Sequence, residues 1–64
     1  MKIVLNGGSR DVAATTLADL LDECGFSGRV ATALNENFVP AASRADAALS
    51  DGDRIEVVAP MQGG

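Results

Sequence analysis

The sequence predicts an α+β domain in which a mixed sheet of four or five strands packs on one main helix. Apolar and polar residues alternate with the period of a strand near both ends of the chain, at residues 1–6 and 54–58. Residues 17–24 instead place apolar side chains at the spacing of a helix. Turn-forming sequences at residues 6–8 and 51–53 adjoin these segments, which is the pattern of short elements in a single small domain.

The first predicted element is a β-hairpin. Ile3 and Leu5 alternate with Lys2 and Val4, so one face of the first strand is apolar. The following Asn-Gly-Gly sequence at residues 6–8 is a strong signal for a two-residue turn. Residues 9–12 are then expected to form the return strand.

The main helix is predicted to begin at Thr16, whose hydroxyl can cap the first turn, with an acidic residue three positions later. Gly25 is suited to the left-handed conformation that ends a helix, and Phe26 can fold back on the last turn. The helix should pack through four apolar residues at i, i+3, i+4 and i+7: Leu17, Leu20, Leu21 and Cys24.

The second half of the chain predicts two further strands and a connection between them. Residues 30–34 are apolar on both faces, which favours a central strand, and Pro40 limits the pairing of the short piece that follows. Residues 41–49 are expected to be loosely helical, and residues 54–58 form the last strand. Hairpin, helix, strand, short piece and strand, in this order, predict a β-grasp (ubiquitin-like) roll whose first and last strands are neighbours at the centre.

Composition narrows the classes of function. The 64 residues are read as one domain, residues 1–64 with a tail at 59–64, and a chain of this size has a thin core and little room for an enclosed active site. A net charge of −4 with five dispersed basic residues argues against nucleic-acid binding. The sequence has neither an apolar run long enough to span a membrane nor a leader pattern, so we expect a cytoplasmic protein that does not bind membranes.

The chemistry-bearing residues give no sign of a metal site or a redox site. Cys24 is the single cysteine and the chain has no histidine, which excludes an internal disulfide and the usual zinc site. Because Cys24 lies on the apolar helix face beside two acidic residues, we interpret it as a core residue rather than a reactive thiol. Asp51 and Asp53 are interpreted as turn-forming residues.

Strand alternation also predicts an exposed apolar patch. If Ile3 and Ile55 face the helix, Val4 and Val58 face outward on adjacent central strands. Together with Met61 they would form a patch at the root of the tail. Such patches often mark interaction sites, so we expect Val4 and Val58 to dock a partner.

The sequence ends on Gly63 and Gly64, directly after the last predicted strand. A frayed terminus is the simplest interpretation, but two terminal glycines occur by chance in about one chain in two hundred when glycine is roughly 7% of residues. Glycine suits an extended segment that enters a narrow channel, because it has no side chain to meet the channel wall. We therefore expect the last residues to be functional.

These residues carry a resemblance to a known family. The sequence D-G-D-R-I-E-V-V, followed after two residues by M-Q-G-G, resembles the end of the ubiquitin-like sulfur carriers. A-L-N-E-N-F-V-P at residues 33–40 and the opening M-K-I-V-L-N-G are similar to their thiamine-pathway branch, the ThiS family. The L-x-D-G-D turn and the final Gly-Gly are shared with the molybdopterin synthase small subunit. Ala41 departs from the basic residue that often follows the proline in this branch.

The resemblance implies a protein co-substrate rather than an enzyme. In such carriers a ThiF-type adenylating enzyme uses ATP and Mg to convert the carboxylate of Gly64 to an acyl-adenylate, and this chain binds no cofactor itself. Sulfur delivered by a sulfurtransferase or cysteine desulfurase then replaces AMP, and the thiocarboxylate supplies thiazole synthase. Met61, Gln62 and Gly63 would thread into the partners' active sites.

Three other functions remain open at this point. A molybdopterin synthase small subunit would use the same activated glycine with a permanent large-subunit partner. A ubiquitin-like modifier would join Gly64 to a lysine through an isopeptide bond. A ubiquitin-fold interaction module would leave the tail chemically inert.

Overall fold

A computed structural model describes residues 1–59. The predictions made for Met61, Gln62, Gly63 and Gly64 lie outside these residues. Within them the elements are, in chain order, β1 (Lys2–Leu5), β2 (Gly8–Asp11), α1 (Leu17–Glu23), β3 (Ala31–Leu34), β4 (Asn37–Val39), a 3-10 helix (Ala41–Asp46) and β5 (Arg54–Val58).

The strands form one mixed sheet in the order β2-β1-β5-β3-β4. β1 and β5 are parallel neighbours at its centre, and the other pairings are antiparallel. The predicted mixed sheet on one main helix is therefore confirmed, including the adjacent first and last strands.

The core lies between one face of the sheet and α1. Ile3 and Ile55 point from the two central strands toward Leu17 and Leu20, and all four side chains are fully buried or nearly so. Burying a side chain of this size contributes roughly 1.5–3 kcal/mol relative to leaving it exposed. The other buried apolar residues, which complete the core, are Val12, Ala14, Leu21, Leu49 and Val57.

Both hairpins turn through residues with positive φ. Asn6 and Gly7 have φ of 49° and 85° between β1 and β2, and Asn35 and Glu36 have φ of 50° and 72° between β3 and β4. Two consecutive left-handed residues are typical of the turn whose twist matches that of paired strands. Asn is better tolerated in this region than most residues, so each asparagine suits its position.

The predicted ends of α1 are confirmed. The Thr16 hydroxyl accepts a hydrogen bond from the Asp19 N–H at 3.2 Å, which caps the first turn. At the other end Gly25 has φ of 79°, and the Phe26 N–H donates to the Leu21 carbonyl at 2.9 Å. This pairing is the Schellman motif, in which glycine supplies the left-handed residue.

Two strand predictions need correction. β2 begins and ends one residue earlier than expected, because Val12 leaves the sheet and turns into the core. β3 does lie between two strands, but its outer face is not covered: Ala31 is exposed, whereas Thr32 is buried at 1% exposure. The apolar character of residues 30–34 therefore does not reflect burial on both faces. No helix within residues 1–59 is long and apolar enough to cross a membrane.

Candidate functional site

The central strand β5 leads directly into the C-terminal segment where sulfur attachment is predicted. Ile55 and Val57 are buried, whereas Arg54, Glu56 and Val58 are exposed, which is the period of a strand with one face on the core. Val58 is the last strand residue, and residues 60–64 follow beyond the described part. The predicted sulfur site at Gly64 is thus only six residues from the sheet.

The end of β5 is supported differently on its two sides. On one side antiparallel pairing with β3 continues to its last residue, where Val58 lies opposite Ala31. On the other side pairing with β1 covers only Arg54 and Ile55. Beyond that point the side chain of Asn6 takes the place of a strand and binds the backbone of Val57.

An apolar surface lies beside this end of β5, on the face of the sheet opposite α1. Val58 is 59% exposed and neighbours Ala31, while Phe38 is 70% exposed and neighbours Ala33. We name these four residues the outer-face patch. A shallow open groove of about 290 Å³ adjoins it, lined by Arg29, Val30, Ala31, Val58 and Ala59.

The geometry expected for Val4 and Val58 is corrected by the strand register. Both residues lie on the outer face, but Val4 is half-buried and pairs with Arg54, at the opposite end of β5 from Val58. Val58 lies four residues along β5 from Arg54, a distance of about 13 Å at the usual rise per residue. They do not form one patch, and the docking role predicted for each stays a prediction.

Phe38 was not assigned by the sequence, and the structure places it in the outer-face patch. Its neighbour Val39 lies opposite buried Thr32, and successive side chains on a strand point to opposite faces. An inward Val39 therefore requires an outward Phe38. No local signal in the sequence fixes this alternation, because it follows from the register of β4 with β3.

The acidic turn before β5 is a structural element. Asp53 accepts from the Ser50 N–H at 2.8 Å and from the Asn35 side chain at 3.0 Å, and Asp51 accepts from the Lys2 N–H at 2.7 Å. These carboxylates join the turn to β1 and to the β3–β4 hairpin. Residues 1–59 contain no group of three histidine, cysteine, aspartate or glutamate side chains that could hold a metal ion.

Cys24 lies at the end of α1, half-buried and packed against the core. Its backbone N–H donates to the Leu20 carbonyl at 3.0 Å and closes the last helical turn. This position agrees with the packing role predicted from the helix pattern.

Comparison with known proteins decides the family. The model of the ThiS family matches residues 3–64, nearly the whole chain. The chain belongs to the ThiS family. The family predicted from the sequence motifs is therefore confirmed.

Two curated relatives and one solved structure place this ThiS family member more closely. It is 44% identical over 61 residues to the sulfur carrier protein ThiS of Thermus thermophilus, covering 94% of this chain and 95% of that one. It is also 44% identical over 66 residues to a thiazole synthase of Paramagnetospirillum magneticum, of which it spans only 20%. The crystal structure of the thiamine biosynthesis protein ThiS from Geobacter metallireducens matches the whole fold with a TM-score of 0.85 at 23% identity. The β-grasp prediction is confirmed by this likeness.

Proposed function

We propose that this chain is a sulfur carrier for the thiazole part of thiamine and acts as a co-substrate rather than as a catalyst. The observation that carries the proposal is the match to the ThiS family model, which extends to Gly64. The relative from Thermus thermophilus, similar over nearly its whole length, bears the name sulfur carrier protein. In the proposed function, the last residues of the chain take part in the chemistry.

The proposed chemistry takes place at the carboxylate of Gly64. A carboxylate oxygen attacks the α-phosphorus of ATP, pyrophosphate leaves, and an acyl-adenylate results. The terminal sulfur of a persulfide supplied by a sulfurtransferase or cysteine desulfurase then displaces AMP and forms an acyl disulfide. A thiol cleaves the S–S bond of this intermediate, which leaves the thiocarboxylate and a new disulfide. ATP and Mg are held by the ThiF-type adenylating enzyme, which we place with the other partners in the cytoplasm.

The position of β5 supports this use of the terminal residues. Because the central strand runs straight into the C-terminal segment, a partner that grips the sheet also fixes where that segment begins. Extended segments are commonly recognised through backbone hydrogen bonds, and Gly63 imposes no side chain on such a channel. The same reasoning assigns Met61 and Gln62 to threading into the partners' active sites.

The outer-face patch is the proposed docking surface for the adenylating enzyme. Phe38 and Val58 are large apolar side chains that remain well exposed, and such residues at a surface cluster often mark interfaces. The patch borders the end of β5, so an enzyme bound there would hold the C-terminal segment near its own active site. Val4, farther along the sheet, would lie at the rim of this contact.

Thiazole synthase is the proposed acceptor of the sulfur. A stretch similar to the whole of this chain forms part of a longer relative that is itself named thiazole synthase. A carrier and its acceptor in one polypeptide are expected to act in sequence, because covalent linkage raises their effective concentration.

The branch of metabolism is tested by deleting the gene and identifying the nutrient that restores growth. Rescue by thiamine or its thiazole precursor supports the proposal, and complementation by the intact gene but not by one lacking the Gly64 codon ties it to the terminal residue. Normal growth without thiamine together with lost molybdoenzyme activity would instead identify a molybdopterin synthase subunit.

A further inference from the structure

The parallel pairing of β1 with β5 stops short of the end of β5. The Val4 N–H donates to the Asp53 carbonyl at 2.8 Å, and the Asn6 N–H donates to the Ile55 carbonyl at 2.9 Å. The chain then turns back at Asn6 and Gly7 toward β2. The next backbone groups on this edge of β5, those of Val57, therefore have no strand beside them in the described part.

The side chain of Asn6 binds both of these groups. Its Oδ1 accepts from the Val57 N–H at 2.8 Å, and its Nδ2 donates to the Val57 carbonyl at 3.2 Å. A primary amide presents the same donor and acceptor as a peptide group. Asn6 thus continues the pairing of β1 by one residue without continuing its backbone.

The residue type at this position is specified by two requirements. The backbone of Asn6 has φ of 49°, which asparagine, aspartate and glycine tolerate better than other residues. Of these three only asparagine offers both a donor and an acceptor. Aspartate would keep the acceptor for the Val57 N–H but would direct a second oxygen at the Val57 carbonyl.

The pairing is the last support on the β1 side of β5 before the C-terminal segment, whereas on the other side β3 pairs with β5 as far as Val58. Backbone groups that face one edge of a strand recur every second residue, so those after Val57 belong to Ala59, where the described part ends. A strand end that frays must be ordered again each time a partner binds it, and that ordering weakens binding.

We propose that Asn6 is a positioning residue for sulfur loading, which fixes the end of β5 so that the C-terminal segment leaves the sheet in one direction. The inference rests on the proposed carrier function. In this role Asn6 is not a catalytic residue. It acts through the backbone of Val57.

The chain offers a matched control in Asn35. This asparagine also lies in a hairpin turn, with φ of 50°, and its Oδ1 accepts from the Arg54 N–H at 2.9 Å. It therefore makes the same kind of bond to β5 at the opposite end of the strand. Asn35→Gly and Asn6→Gly are expected to lower stability by similar amounts, but only Asn6→Gly removes the support on the β1 side of the end of β5.

The first measurement is amide hydrogen exchange in the free protein. Asn6→Gly should raise the exchange rate of the Val57 amide roughly five- to tenfold, the factor expected for one lost intramolecular hydrogen bond. Asn35→Gly should leave Val57 unchanged and act on Arg54 instead. Equal protection of Val57 in Asn6→Gly and the wild type would overturn the inference without involving any partner.

The second measurement is ATP–pyrophosphate exchange with the ThiF-type adenylating enzyme, at a temperature where all variants are folded. Asn6→Gly should raise KM for the carrier several-fold while kcat stays near the wild-type value, because the loss is one of ordering on binding. Asn6→Asp keeps one of the two bonds, so its KM should lie between those of the wild type and Asn6→Gly. If Asn6→Gly does not fold, Asn6→Asp replaces it in this test.

The outcomes separate the inference from the proposed function. Wild-type kinetics in Asn6→Gly, or an equal rise in KM for Asn35→Gly, would overturn the positioning role alone. A wild-type protein that is never adenylated would overturn the carrier function, and the positioning role with it.

Discussion

Arg44 is bound to Thr32 on the inner side of the sheet. The Arg44 Nε donates to the Thr32 Oγ1 at 3.0 Å, and its Nη2 donates to the Val30 carbonyl at 2.6 Å. The Thr32 hydroxyl in turn donates to the Val39 carbonyl at 2.7 Å. These bonds join the 3-10 helix to β3 and β4. Arg44, three residues after Ala41, therefore has a structural role.

Arg44→Met should lower the free energy of unfolding by about 1–3 kcal/mol, because it leaves the Val30 carbonyl without this donor and removes charge-assisted bonds. Arg29→Met is the control: Arg29 is exposed, and its side chain makes no hydrogen bond within residues 1–59. We expect a change within about 0.5 kcal/mol for the control. Urea denaturation measures both, and equal stabilities of the two variants would contradict this account of Arg44.

Gly25→Ala should destabilise the protein by about 1–2 kcal/mol, since its φ of 79° is a conformation that a side chain disfavours. Gly8→Ala is the matched control, because Gly8 lies in β2 without a positive φ and a Cβ there would meet the Leu5 carbonyl oxygen at an ordinary 3.7 Å. Thermal denaturation of both variants tests the helix-ending role. A Gly25→Ala protein as stable as Gly8→Ala would show that the end of α1 does not depend on glycine.

The double variant Val4→Asp/Val58→Asp should remain folded but lose adenylation, because it places charges on the face proposed to dock the enzyme. Because Val58 lies in the outer-face patch and Val4 lies far from it along the sheet, Val58→Asp alone should account for most of the loss. Glu56→Gln, on the same face of the same strand, is the control. Circular dichroism checks the fold, and unchanged adenylation kinetics in the double variant would remove the proposed docking surface.

Cys24→Ala should still be loaded with sulfur, because the thiol packs against the core rather than taking part in the transfer. Its cost in stability is expected to be on the order of 1 kcal/mol, as for other small core truncations. Mass spectrometry after the loading reaction checks this. A folded Cys24→Ala protein that cannot be loaded would assign a chemical role to the thiol.

The elements that were predicted well depend on neighbouring residues. The Asn6-Gly7 turn, the Thr16 cap and the Gly25 helix end each follow from local backbone preferences, and each is present in the structure. The family was predicted from motifs at residues 33–40 and 49–64, and it is confirmed. These signals do not require knowledge of how distant segments meet.

The features that were missed depend on register between distant strands. Alternation places Val4 and Val58 on the same face, but only the pairing of Val4 with Arg54 shows that they lie far apart. The bonds from Asn6 to Val57 join residues 51 positions apart. Nothing in the local sequence distinguishes that side chain from an ordinary turn asparagine.

The terminal residues are tested by two variants that leave residues 1–59 unchanged. Deletion of Gly64 shortens the reach of the chain and should stop loading, because Gly63 would present a misplaced carboxylate. Gly63→Val adds a branched side chain in the proposed channel and should block adenylation with little effect on stability. Efficient loading of either variant would contradict the proposed channel geometry.

The most direct test of the carrier function is the mass of the intact protein after incubation with the adenylating enzyme, ATP, Mg and a sulfur source. We predict a gain equal to the exchange of one oxygen for one sulfur, and fragmentation should place it on Gly64. An unchanged mass with active partner enzymes, or a sulfur atom found on Cys24 instead, would contradict the proposed function.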